Sequence, residues 1–485
     1  MDRTTDLPAD GQRRPAPGVP DSDQIFSWVR DLTAFSARGT QTLDDHRSVD
    51  YLCTRLRGFG LTDVQVQETE SFHWHASRSA LSVDGTFIPH APVAFSLDAG
   101  NGPFDGGNGN GPFSTGPDGL TASFVDVGEG QEDDFAEADI DGKIVMFNLR
   151  FVLPRRALLD AGEFVHDPHE TITPADLDTA NPYLTNFEDV VEQAIAQGAA
   201  GFVAVLADYF DSHDIRTEYK PDITIPGLWV TKTAGARIRT LAKKGQPTAT
   251  LRLEGERTAT PARTVIGILP GCSSDTIMIQ SHHDSAWEGG VEDASGTAEV
   301  LALAAYYSSL AREQRPKTLM FVLMDSHWTG YQAHRQFVET FITAPGLARR
   351  IVANVTLEHI AKQAEVGPDG QLLVFDRPEY RGIFENVSPP LKTAIDHAVA
   401  EHGLERTIRL NADELAPLLG ELPTDAEFVF EAGIPTISLI SGPLYLYDKA
   451  DTLDKVYKPD LGPVARAFVD IVDHLAATPS ELIGS

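Results

Sequence analysis

Cysteine is scarce, positive charge is outnumbered, and long apolar runs are missing. Only Cys53 and Cys272 stand among 485 residues, so no disulfide framework holds the fold and reducing conditions suit it. Each reads as a small buried residue rather than a nucleophile. No run of eighteen or more apolar residues occurs, which leaves no candidate for a membrane-spanning helix. The opening stretch MDRTTDLPADGQRRPAPGVPDSD is polar and proline-rich and lacks the apolar segment of a secretory signal. Residues 1–22 therefore read as a disordered tail on a soluble, cytoplasmic protein. Lysine and arginine number 39 against 71 aspartates and glutamates, a formal net charge of −32. That charge repels nucleic acid and anionic membranes and removes both from the partner classes. A solvated acidic surface accounts for it without any cationic partner.

What is present falls into three stretches. Residues 23–118 read as helix, helix, strand: DDHRSVDYLCTRLRGFG carries apolar residues at helical spacing with Gly60 at its stop, and TDVQVQE alternates. DAGNGPFDGGNGNGPFSTGPDG, residues 98–119, is too rich in glycine for an element interior and reads as a loop or linker. From 119 to 257 the pattern turns β-rich, with ASFVDVG, GKIVMFNL, GFVAVLA and PTATLRLEG around the helix FEDVVEQAIAQGA, as in an inserted second domain. The polar run from Arg155 to Asn186 inside it reads as a lid or extended loop, and HDPHE, His166 to Glu170, as solvated.

From 258 to 485 strands and helices alternate. TVIGILPG, TIMIQSH, KTLMFVLMD, IVANVTLEH, QLLVFD and IPTISLIS are nearly continuous apolar runs separated by helical stretches such as SGTAEVLALAAYYSSLA and PLKTAIDHAVAEHG. The pattern predicts an α/β three-layer sandwich with a mixed, mostly parallel central sheet. Ligands gather at the carboxyl ends of such strands. His282 ends one strand, Asp325 to Trp328 follow another, and Glu358 and His359 end a third.

Imidazole and carboxylate on rigid strand ends suit a divalent cation with an open position, zinc foremost, with manganese or iron as alternates. His282, Asp293 and Glu358 are the residues of that kind. SHHDS, EDASGTAEVL and LEHI, in this order and context, resemble the zinc aminopeptidase family that includes bacterial leucyl aminopeptidases, glutaminyl cyclase, glutamate carboxypeptidase II and the transferrin receptor ectodomain. GKIVMFN, AIAQGAAGFVAV and IPGLWVTKTAGARI resemble the protease-associated domain that several members carry. The resemblance runs from Asp23 to Ala476. It implies that His282, Asp293 and Glu358 ligate a metal and that Asp284 orients the His282 imidazole.

Two departures from the family pattern shape the functional expectation. DSHWTG puts His327 where the family has its catalytic glutamate and Trp328 where it has a ligand of a second metal. YLYDKADT puts Tyr447 where a closing histidine is expected, and TDAEF keeps Asp425 with Ala426 in a histidine place. One metal per chain is then expected, with His327 as general base, since a neutral imidazole suits proton abstraction near neutral pH. Tyr447 stands as ligand, donor to an oxyanion, or core residue. His283, Trp328, His359 and Asp425 are candidates for the substrate side, although strand alternation turns His283 to the other face. The leading function is hydrolysis of an amide or related C–N bond in a small-molecule or short peptide-like substrate, one metal polarising the carbonyl and activating water. Beside it stand a two-metal aminopeptidase with substituted ligands and a non-catalytic binding or scaffold protein. The oligomeric state, a homo-oligomer included, is left open.

Overall fold

The computed structural model describes residues 18–35, 37–39, 42–97, 110–177, 180–218, 223–243, 245 and 247–484. The tail expected over 1–22 lies outside them as far as residue 17, as does the glycine-rich stretch 98–109. Of the expected linker, Gly111–Ser114 forms a short strand against Thr248–Leu269.

Four parallel strands make the centre of the large sheet, in the order Thr318–Met324, Asp275–His282, Arg350–Leu357 and Thr436–Ser441. Antiparallel neighbours flank them, Thr248–Leu269 on one side and Arg381–Glu385 on the other. Successive side chains leave a strand on opposite faces, and the sequence uses both. Ile277, Ile279, Leu319, Phe321 and Leu323 join the core under the helices Gly296–Ser309, Lys458–Ala477 and Ser22–Thr33. Met278, Met320, Val322 and Met324 join a second core with Phe337 of the helix Gln332–Phe341. A sheet buried on both faces explains the unbroken apolar runs, and the α/β class with a mixed, mostly parallel sheet is borne out.

Two strands reach across the molecule. Asp63–Val83 and Thr248–Leu269, of 21 and 22 residues, pair antiparallel with one irregularity at Ala76/Arg78. The first half of Thr248–Leu269 bonds to Leu120–Asp126 and its second half to Thr318–Met324. The division expected at 257/258 therefore falls inside one unbroken strand. Beyond it Leu120–Asp126, Ile144–Leu149, Gly201–Leu206 and Gly227–Thr231 run parallel. The run Arg155 to Asn186 is docked. Phe164–His166 pairs with the sheet-edge strand Thr407–Asn411, Ala180–Thr185 pairs with Phe151–Pro154, and Asp176 meets the buried Arg406 at 3.3 Å. QLLVFD leaves the main sheet: among the described residues Leu372–Pro378 pairs only with Lys362–Val366 in a separate ribbon, and RGIFE takes the place beside Thr436–Ser441. Cys53 and Cys272 are free thiols, the first buried and the second exposed. No helix among the described residues is long and apolar enough to cross a membrane.

The helix Gly296–Ser309 is apolar nearly all round because it is enclosed on every side. Glu299 is the exception: it is fully buried, and neither carboxyl oxygen finds a hydrogen bond among the described residues. Burial, helped by Asp460 and opposed by Arg466, lifts its pKa well above the ordinary carboxyl value. The folded chain thus holds this proton more tightly than the unfolded chain. Its contribution is present below the ordinary pKa and is lost as pH climbs towards the raised one. Glu299→Leu is expected to stabilise the fold at pH 8 by about 1–3 kcal/mol and by less at pH 5, read from urea unfolding. A loss of stability at pH 8 contradicts this.

Candidate metal centre

His282 is the last residue of its strand, and the chain then crosses to the helix Gly296–Ser309 by a bend, Gly290–Ser295. Two groups outside the bend fix its course. Arg38 is fully buried, and its guanidinium donates to the carbonyls of Leu32 at 3.1 Å, His283 at 2.9 Å, Glu288 at 2.8 Å and Gly289 at 2.9 Å. Asp451 accepts the N–H of Val291 at 2.9 Å and that of Glu292 at 2.9 Å. With the main chain pinned on both sides, the Glu292 side chain is left to project into the interior.

Three imidazoles meet that carboxylate. His282 Nε2 lies 3.1 Å and His327 Nε2 3.4 Å from Oε1, and His359 Nε2 lies 2.5 Å from Oε2. The outer nitrogen of each ring is occupied. His282 Nδ1 lies 3.0 Å from the Asp284 carbonyl, His359 Nδ1 3.0 Å from the Ser441 carbonyl, and His327 Nδ1 2.9 Å from Asp425 Oδ1. An N–H spent on an outside acceptor leaves the lone pair of Nε2 facing inward, the arrangement usual for histidine ligands. The three Nε2 atoms and both Glu292 oxygens are buried without a hydrogen bond among the described residues. Ligand atoms of His282, Glu292 and His359 all lie within 4.8 Å of one another, as do those of His282, His327 and Asp425. The donor set fits a divalent cation.

Charge supports the same conclusion. Burial opposes ionisation of His282, but Asp425 and Glu292 outweigh it and hold its pKa well above the ordinary imidazole value. His359, against the same burial, is lifted to about 9 by Glu292 and Asp293. Glu292 is held well below the ordinary range because His359 and His282 overcome its burial. Burial, helped by the Glu292 charge, carries Asp451 up to about 8 against the N–H groups of Glu292 and Val291. Such a surplus of negative potential draws in positive charge, whether protons on the rings or a cation between them.

The residues expected from the sequence divide. His282 and His327 are here, their rings stacked 4.0 Å apart. Asp293 and Glu358 are close by but join neither of these groups: both oxygens of Asp293 and Oε1 of Glu358 are engaged elsewhere. Asp293 accepts from Gly296 N at 3.0 Å, His359 N at 3.2 Å and Ser281 Oγ at 2.5 Å, which makes it a helix cap. Glu358 accepts from Asp425 N and Ser438 Oγ, both at 3.3 Å. Of the set read as His282, Asp293 and Glu358, His282 thus converges with Glu292 and His359, and Asp293 and Glu358 stand beside that group. The sequence carries a Glu-Asp doublet, and in an irregular bend no periodicity says which carboxylate turns inward.

Asp284 lies beside His282, and its carboxylate accepts the N–H groups of His327 and Trp328 at 3.4 Å each. His283 faces away from the centre: Nε2 lies 2.9 Å from the Arg263 carbonyl and Nδ1 3.7 Å from Asp45, fully buried. A substrate-side role is out of its reach. Asp425, expected on the substrate side, lies 2.9 Å from His327 Nδ1, and His359, expected there too, sits among the convergent side chains. Trp328 is 2 % exposed and meets Tyr447 edge-on at 5.6 Å.

Two further participants come from the 119–257 stretch and were missed. Tyr183 stacks on His359 and donates its hydroxyl to the Ser441 carbonyl at 2.6 Å. Glu218 receives the hydroxyls of Tyr331 at 2.8 Å and Tyr447 at 3.3 Å and lies 3.6 Å from His327 Nε2. Both sit in stretches that read as loop, where no pattern fixes direction.

No family profile and no curated protein matches the sequence. Solved structures do match in fold. The aminopeptidase of Aneurinibacillus sp. strain AM-1 is 19% identical, with 96% of this chain and 96% of that chain covered at a TM-score of 0.63. A zinc aminopeptidase from Bacillus subtilis is 17% identical over 96% of this chain and 99% of its own, also at 0.63. A peptidase M28 precursor from Shewanella amazonensis is 17% identical over 94% and 93%, at 0.66. At these identities the shared property is the architecture, and this chain has the fold of the zinc aminopeptidases over nearly its whole length.

Proposed function

We propose that the chain is a metal-dependent hydrolase of an amide or related C–N bond in a small-molecule or short peptide-like substrate, with one divalent cation, zinc foremost, held by His282, Glu292 and His359. The observation that carries this reading is the convergence of three imidazoles, each with its outer nitrogen engaged, on one carboxylate that accepts no hydrogen bond among the described residues. A fold shared with zinc aminopeptidases agrees with it.

A cation in this position supplies a Lewis acid that polarises the substrate carbonyl and makes water a better nucleophile. The chain's own groups do the rest. With a cation bound, His327 would take the proton of the attacking water at Nε2 and return it to the leaving nitrogen. Against burial and the His282 charge, Asp425 on Nδ1 and Glu218 hold the pKa of this ring well above the ordinary imidazole value, so the cation's charge has to displace the ring's own Nε2 proton before it can act as a base. Glu218, held by the Tyr331 and Tyr447 hydroxyls, faces the same Nε2 from the opposite wall. Trp328 and Tyr447, edge to face at 5.6 Å, pack beside His327, and burial of the cluster strengthens the charge interactions inside it.

A second reading, two cations bridged by Glu292, has one feature in its favour: Oε1 faces His282 and His327 while Oε2 faces His359. Elemental analysis separates the two. One equivalent per chain is expected, two would install the second reading, and none in protein purified without chelator would remove both. Retention should weaken as pH falls, because protons compete for the Nε2 atoms.

The ligand set has its own test. Glu292→Gln is expected to lose metal affinity by about 100-fold or more, with Glu358→Gln close to wild type, measured by competition with a chelating dye. The opposite order would restore Glu358 as ligand and overturn the assignment.

For the proton carrier, His327→Ala should keep fold and metal and lose turnover of the best amide in a panel by roughly 10²–10⁴-fold, with His327→Glu recovering part of it. Near wild-type turnover in His327→Ala would make this imidazole structural.

A further inference from the structure

Arg216 sits two residues before Glu218 on a segment clasped to the wall of the site. Ile215 pairs with Asp448, Lys449 N donates to the Asp214 carbonyl at 3.1 Å, and Arg216 N donates to the Tyr447 carbonyl at 2.8 Å. Its side chain has no such company. Among the described residues Nε is buried with no hydrogen-bond partner and no carboxylate acts on the guanidinium. The ring of Phe95 lies 5.0 Å from the guanidinium carbon. A cation over a single ring recovers only part of the hydration it has given up. In a chain with a net charge of −32, an arginine without an acid beside it is conspicuous.

Surrounding protein pushes the pKa of Arg216 down to about 10, so the guanidinium is desolvated yet still charged at neutral pH. The residue as a whole nevertheless remains partly open to solvent. It therefore lies in a recess that water enters rather than in the sealed core. Behind Phe95 the packing is aromatic and buried. Phe95 meets Phe72 edge-on at 5.8 Å and Trp74 at 5.9 Å, and Arg257 lies over Phe72 at 3.7 Å. Ser71, next to Phe72, bonds Thr329 at 2.9 Å, one residue past Trp328.

We infer that Arg216 is the anchor for a carboxylate on the substrate, so that the amide cleaved belongs to a molecule carrying a free carboxyl group, such as an N-acyl amino acid. The inference deepens the amide-hydrolase reading and rests on it for calling the ligand a substrate. The planar fork of a guanidinium matches a carboxylate with two parallel hydrogen bonds, and desolvation makes that match strong. Arginines that serve the fold have their acceptors already, as Arg38 does with four carbonyls. The acceptor of Arg216 arrives with the ligand.

Calorimetry on the full chain with hippurate, its methyl ester and inorganic phosphate tests this without requiring turnover. Hippurate is expected to bind, the ester to bind at least roughly thirty-fold more weakly, and phosphate to bind more weakly than hippurate. Arg216→Gln should lose the preference for acid over ester while its unfolding midpoint stays at or above that of wild type, because an unsatisfied cation has been removed. Equal binding of acid and ester by wild type, tighter binding of phosphate than of hippurate, or unchanged hippurate affinity in Arg216→Gln each overturns the inference. A variant too unstable to measure would also count against it, because that would make Arg216 structural. Arg216-dependent hippurate binding with no amide hydrolysed anywhere in a panel would leave the anion site standing and remove the hydrolase reading.

Discussion

Buried negative charge is what the rest of the site is arranged around. Asp284, Glu292, Asp293, Glu358, Asp425 and Asp451 are all at most 3 % exposed, and a carboxylate without compensation in such a place costs several kcal/mol. The chain meets the demand in three ways. N–H groups at bends and helix starts quiet Asp293, Glu358 and Asp451. The buried guanidinium of Arg38 braces the loop between strand and bend and is itself attracted by Asp451, Asp293 and Asp284. Three imidazoles face Glu292, the one carboxylate of the set without a hydrogen bond to either oxygen among the described residues. This division separates carboxylates that hold the architecture from the one that is offered to a ligand.

Much of the fold was legible because burial on both faces of a parallel sheet leaves a plain trace. Ile277, Met278 and Ile279 alternate between two cores, so the strand had to be apolar throughout. The same logic misread QLLVFD, since apolar content alone does not distinguish a central strand from a ribbon packed on the core. RGIFE was missed for the converse reason: Arg381 and Glu385 are buried through ion pairs with Asp460 and Arg409, which sequence pattern does not reveal.

At the site, what the sequence made visible was position along the sheet. His282, His327, Glu358 and His359 all stand where strands deliver them. Direction was not visible. Asp293 spends its oxygens on Gly296, His359 and Ser281 while its neighbour Glu292 turns inward, a choice set by Asp451 some 160 residues away. His283 faces Asp45 and Ser48 of the helix Leu43–Gly58, again through a partner far off in sequence. Tyr183 comes from the short strand Ala180–Thr185 and Glu218 from an irregular stretch, and both segments are held near the centre by contacts such as those of Phe164–His166 with the main sheet and of Ile215 with Asp448. Residues that join distant parts of a chain carry no local signature.

X-ray absorption at the metal edge, on protein as purified, reads the donor set most directly. The account predicts at least two imidazole nitrogens and a carboxylate in the coordination shell, and an anomalous peak in crystals between His282, Glu292 and His359. A shell with a single imidazole and two carboxylates, or an anomalous peak displaced onto Asp293 and Glu358, would contradict it.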